Sequence, residues 1–156
     1  MTDEQGMQHA IEACRRGIEE GQSPFGAAIV KQDRVLVAVH NTVWADTDPS
    51  AHAEVNAIRA ACRSLNSISL EGCTLYSTCE PCPMCLAASH WAKIDRIVFG
   101  ASVADARAAG FSEMRISIES MVAQSGSHLI LHRGVRLTEC ASLFEEWKKA
   151  NRSETY

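Results

Sequence analysis

Apolar residues first recur at helical spacing. Between Asp3 and Glu20, the residues Met7, Ala10, Ile11, Cys14 and Ile18 fall near one face, which predicts an amphipathic helix that Gly21 and Pro24 end. Two short apolar runs follow, Ala27 to Val30 and Val35 to Val39, around the polar Lys31-Gln32-Asp33-Arg34, and read as a hairpin. Trp44 to Ser50 reads as a polar loop, with Asp48-Pro49-Ser50 as a helix-start signal for a helix over Ala51 to Leu65. Beyond it the pattern predicts a strand at Gly72–Ser77, a helix at Pro83–Ala92 and a strand at Arg96–Phe99. A short helix at Ala104–Ala109 closed by Gly110, a strand at His128–His132 and a last helix at Leu143–Ala150 complete the chain. Strands alternating with helices predict one layered α/β domain over residues 1–156.

Composition narrows the function classes. Hydrophobic residues are 46% and charged residues 22% of 156, enough for a core without disulfide staples. A net charge of -4 gives no broad attraction to a phosphate backbone, so nucleic acid is not the expected partner. The N-terminus has no basic segment followed by an apolar run, and no apolar stretch is long enough to cross a bilayer. A cytoplasmic location is expected. In that reducing setting the seven cysteines, an odd number, read as metal ligands, reactive thiols or core residues.

Two short motifs carry chemistry: His52-Ala53-Glu54 and Pro81-Cys82-Pro83-Met84-Cys85. Together they spell the H-x-E … P-C-x-x-C signature of zinc nucleobase deaminases. Cys82 and Cys85, three apart at a helix start, share one helix face, so both sulfurs can reach one ion. The positive end of the helix favours two thiolates, and proline suits a position where the amide hydrogen has no partner. With His52 as third ligand, a single Zn²⁺ per chain keeps the open fourth position that catalysis requires. Glu54, two residues from His52, is expected to move protons between a water, a ring nitrogen and the departing amine.

Each motif alone has a plainer reading. His-Ala-Glu is most often a surface helix turn, and a lone C-x-x-C can be a redox pair or half of a structural zinc site. Cys79 with Cys82, Cys85 and His52 would make a closed, non-catalytic Cys₃His site, which gives Glu54 and the two prolines no role. His9, His40, His90, His128 and His132 read as surface or partner-bonded, and Cys14, Cys62, Cys73 and Cys140 as small core residues.

The chain resembles the cytidine-deaminase-like superfamily and, within it, the small bacterial guanine deaminases. The matching stretches are Pro24-Phe25-Gly26-Ala27, Asp48 to Glu54, Cys79 to Cys85, Ala109-Gly110-Phe111 and Glu154-Thr155-Tyr156. The flanks of the zinc motifs also occur in tRNA adenosine deaminases, whereas the C-terminal third looks like guanine deaminase. The resemblance implies a three-layer αβα sandwich around a mixed five-stranded sheet, and a homodimer whose C-terminal segments exchange. It implies that a small-molecule purine meets Phe25, Asn41, the Ala53 backbone amide and Trp91, and that Tyr156 of a partner chain closes the pocket. The family carries two aspartates after Ala-Gly-Phe. Here Ser112 and Glu113 stand instead, so the carboxylate at the second position is one methylene longer. Guanine is the substrate the resemblance implies. Another amino-heterocycle such as an aminotriazine or cytosine, a nucleoside such as guanosine, or adenosine in tRNA stays open as an alternative.

Overall fold

The computed structural model describes residues 1–150 and 154–156. Helix α1 spans Asp3–Glu19 and starts at a capping box, in which the Thr2 hydroxyl accepts from the Gln5 amide while the Gln5 side chain accepts from the Thr2 amide. Its buried face holds all five apolar residues of the periodic pattern. Strands β1 (Gly26–Lys31) and β2 (Arg34–His40) form an antiparallel hairpin. The tip residues Gln32 and Asp33 both take positive φ, 48° and 62°, as a tight right-twisted turn requires.

A one-turn helix α2 (Val43–Asp46) leads to α3 (Ala53–Leu65), then β3 (Cys73–Cys79), α4 (Pro83–Trp91) and β4 (Arg96–Ala101). Helices α5 (Val103–Ala108) and α6 (Ile118–Ser125), strand β5 (Ile130–Arg133) and helix α7 (Leu137–Lys149) follow. The sheet order is β2-β1-β3-β4-β5; β1 pairs antiparallel with β2 and β3, while β3, β4 and β5 run parallel. Side chains alternate across it. Ala28, Val30, Tyr76 and Val98 join the core that includes α1 and α7, whereas Ala27, Ile29, Leu75, Ile97 and Phe99 join the core that includes α3 and α6. The result is the three-layer αβα sandwich with a mixed sheet. Among the described residues, no helix is long and apolar enough to cross a membrane.

Three elements depart from the sequence expectation. Helix α2 overlaps the start of the segment read as a polar loop, and the one residue it buries, Val43, lies just before that segment. Helix α6 was not expected; its Ser117 cap and left-handed Gly126 are the usual start and stop signals, but Ile118 alone is fully buried, so its apolar stripe is weak. Helix α7 starts at Leu137 rather than Leu143, because its first turn faces solvent, with Leu137 itself exposed, and shows no apolar period.

Gly26 sets how closely α1 approaches β1. A Cβ there would lie 2.1 Å from the Ala10 carbonyl oxygen and 2.6 Å from the Cys14 amide nitrogen, both backbone atoms that cannot swing aside. Gly26→Ala is therefore expected to destabilise the fold by about 3 kcal/mol, the upper end of ordinary overpacking. Urea unfolding checks this: an unchanged midpoint would show that α1 can slide.

Candidate active site

The site forms where two helix starts meet the carboxyl end of β3. His52 is the N-cap residue of α3, and Cys82 is the N-cap residue of α4, with Pro83 in its first turn. The Asn56 side chain steadies the approach to α3. Its amide donates to the His40 carbonyl at 3.1 Å, the Thr42 hydroxyl at 2.9 Å and the Ala51 carbonyl at 3.2 Å.

His52 Nδ1, Cys82 Sγ and Cys85 Sγ form a triangle with all three edges 3.6 Å. A tetrahedral ion bonded at about 2.0 Å to nitrogen and about 2.3 Å to sulfur sets its ligands roughly 3.5–3.8 Å apart. One nitrogen and two sulfurs at that spacing fit Zn²⁺. Cys79 is not in this group; its sulfur lies 3.5 Å from the Ser102 carbonyl. The donors therefore form an open tripod.

The charges suit a metal. The hydrogen bond from Cys85, helped by His52, holds the Cys82 thiol down at about 4 despite burial. The same bond and burial push Cys85 well up, so without metal the two sulfurs share one proton, and an ion would displace it. Burial alone would lower His52, but its bond to Cys82 and the charge of Glu54 raise it.

Glu54 is 6% exposed and sits beside the tripod, with Oε1 3.0 Å from the Ser77 hydroxyl and Oε2 3.5 Å from Cys85 Sγ. Burial raises its pKa above the ordinary carboxylate range. A carboxyl group so placed is suited to taking up and returning a proton near neutral pH.

Beside the tripod, Phe25, His52, Glu54, Cys79, Glu113 and Tyr156 surround a chamber of about 20 Å³, room for about one water molecule. An outer vestibule of about 210 Å³ is lined by Pro49, Met84, Ser112 and Met114, and again by Glu113 and Tyr156. Tyr156 borders both. Its hydroxyl accepts from Asn41 Nδ2 at 2.6 Å, and its carbonyl accepts from the Ser112 amide at 2.9 Å. The other end of Asn41 is fixed by the Val43 amide, 3.0 Å from Oδ1. Phe25 packs edge-on against Phe111 and Phe144, with centroids 4.9 and 5.8 Å apart. Ala53 is the first residue of α3, where a backbone N–H has no partner within the helix. Burial raises Glu113.

Two expected contacts are placed differently. Trp91 is 81% exposed and lies at the far end of α4, about 13 Å of helix rise from the cysteine end, in a groove with His90, Lys93 and His128. It does not line this chamber. Tyr156, expected from a partner chain, fills the chain's own pocket, because Asn41, Ser112 and Phe111 all receive it there. Sequence reasoning also missed Glu80, which borders the inner chamber, and Ser77 beneath Glu54. The signal for Ser77 was available: strand alternation puts residue 77 on the same face as Leu75, which joins the core that includes α3, the helix that carries Glu54.

This layered fold, with its His-Cys-Cys tripod and buried glutamate, defines a zinc-dependent deaminase. The chain belongs to the cytidine and deoxycytidylate deaminase zinc-binding family, whose model matches residues 1–101. Over its full length it is similar to guanine deaminase of Bacillus subtilis (strain 168), 39% identical over 156 residues, 99% of each chain. It is also similar to the tRNA-specific adenosine deaminase of Aquifex aeolicus (strain VF5), 44% identical over 101 residues, 65% of this chain and 67% of that one. Among solved structures, a guanine deaminase from Nitrosomonas europaea superposes with a TM-score of 0.87 at 26% identity, covering 95% of this chain and 85% of that one. The protein NE0047 in complex with 2,6-diaminopurine superposes with a TM-score of 0.88 at 27% identity, covering 96% and 83%.

Proposed function

We propose that this chain hydrolyses a purine base, converting guanine and water to xanthine and ammonia. The observation that carries the substrate is Glu113, a partly buried carboxylate that lines the same chamber as Glu54. A carboxylate matches the paired N–H donors on the edge of guanine, whereas a tRNA phosphate backbone calls for basic side chains. The family match ends at residue 101, before Phe111, Glu113 and Tyr156 complete the pocket. The full-length likeness to guanine deaminase includes them.

His52, Cys82 and Cys85 would hold the Zn²⁺, which supplies the Lewis acidity that makes a water nucleophilic near neutral pH. Glu54 accepts the proton of that water and returns it to the ring nitrogen beside the attacked carbon. A carbon–oxygen bond forms, the carbon–nitrogen bond then breaks, and Glu54 helps protonate the departing amine. Phe25 lies against the flat face of the base. Asn41 and the Ala53 amide bond its polar atoms, and Glu113 takes its N–H edge. A purine needs more room than the inner chamber holds. Tyr156 therefore withdraws to admit the base, releases Asn41, and closes behind it to exclude water.

Ammonia release from guanine, guanosine, adenine, cytosine, an aminotriazine and a tRNA anticodon stem tests the reading, with guanine expected to be turned over fastest. Deleting Tyr156, and separately Glu113→Ala, is expected to lower kcat/KM for guanine at least about tenfold at unchanged zinc content, the loss of one charge-assisted contact. Two variants as fast as the parent would refute the proposed purine contacts while leaving the zinc chemistry standing.

A further inference from the structure

Ser77 is 2% exposed, in the middle of the sheet, with Ala27 and Phe99 as its register partners on β1 and β4. Its Oγ lies 3.0 Å from Glu54 Oε1 and 2.7 Å from the Cys79 carbonyl oxygen. A hydroxyl has one proton to give and can accept two. The Cys79 carbonyl can only accept. Ser77 therefore cannot donate to both neighbours at once, and an ionised carboxylate is the stronger acceptor of the two.

We infer that Ser77 is a positioning residue for the deaminase reaction, whose buried hydroxyl holds Glu54 Oε1 and so keeps Oε2 on the side of the metal tripod. While Glu54 is a carboxylate, Ser77 donates to Oε1. Oε2, on the tripod side 3.5 Å from Cys85 Sγ, takes the proton from water and gives it back, while Oε1 stays held by Ser77. No heavy atom has to move, and no bond is made or broken in Ser77. Proton transfer slows steeply when donor and acceptor are misplaced by even an ångström, so a carboxyl that swings between the two steps is a poorer shuttle. The buried surroundings strengthen the effect, because no solvent reaches the inner oxygen of Glu54 to replace the bond.

The inference rests on the zinc-deaminase assignment and not on guanine being the substrate. The test compares the parent with Ser77→Ala and Ser77→Thr in single-turnover ammonia release. It uses guanine, or the best substrate of the ammonia screen if guanine is inert. Ser77→Ala is expected to slow the chemical step at least about tenfold, the worth of one hydrogen bond to a charged group, with KM within about twofold and zinc content unchanged. Ser77→Thr keeps the hydroxyl and suits a strand, so it is expected to recover most of the rate. Equal rates for the parent and Ser77→Ala would overturn the inference. So would zinc loss or a raised KM in Ser77→Ala, or a Ser77→Thr variant that folds, holds zinc and is as slow as Ser77→Ala; each would mean that the serine matters to packing and not to the proton. If Ser77→Thr does not fold, a larger solvent deuterium isotope effect in Ser77→Ala than in the parent supports the role, and an unchanged one overturns it.

Discussion

Glu54→Gln is expected to keep the fold and the zinc while losing turnover by at least about 10²-fold, the lower end of what a positioned acid–base group contributes. Glutamine has the shape of glutamate and can still meet the Ser77 hydroxyl 3.0 Å away, so the pocket should not collapse. What it lacks is the ability to take a proton from water and give it back. The exposure of 6% sharpens the effect, because little bulk water reaches Glu54 to act as a substitute base. Steady-state ammonia release with metal analysis on the same preparation is the measurement. A glutamine variant with near-parental turnover would remove Glu54 from the chemistry, and with it the inferred role of Ser77.

The second large effect concerns the tripod. Cys82→Ala is expected to lower the zinc content from the parent's level towards none after dialysis, and to reduce turnover by more than about 10²-fold. Partners that only orient a ligand are already worth about 10–100-fold, so removal of a ligand costs more. Cys82 is the sulfur that hydrogen bonding to Cys85 and His52 holds down at about 4, so it is the ready thiolate of the pair. Its loss leaves His52 and Cys85, two donors, which is one short of the protein ligands that catalytic zinc uses. Retention of a full zinc equivalent in this variant would mean that Cys79 turns away from Ser102 to the metal.

The zinc tripod was legible in the sequence because its spacing is local: residues 82 and 85 lie on one turn, and 52 and 54 open one helix. The sheet was legible for a similar reason, since apolar runs and a polar hairpin tip are short-range signals. The pocket wall was not. Its members come from separate elements: Phe25 before β1, Asn41 after β2, Glu113 beyond α5 and Tyr156 near the chain end. No spacing rule connects them, so only family likeness could suggest them. Likeness also suggested Trp91, which the fold sets at the far end of α4, outside the chain's own chamber. Helix α6 was missed because a helix with one buried side chain has almost no period to read.

The pairing of the first helix with the last has a consequence for synthesis. The core on one face of the sheet is completed by Leu143, Phe144 and Trp147 of α7, and Arg15 on α1 grips Glu146 with bonds of 3.0 and 2.9 Å. A ribosome delivers α1 well before α7. Until α7 emerges, therefore, the apolar core shared by α1, β3 and β4 lacks part of its cover. A nascent chain stalled before residue 137 should bind hydrophobic-surface chaperones and resist release, whereas one extended past α7 should let go of them and become resistant to protease.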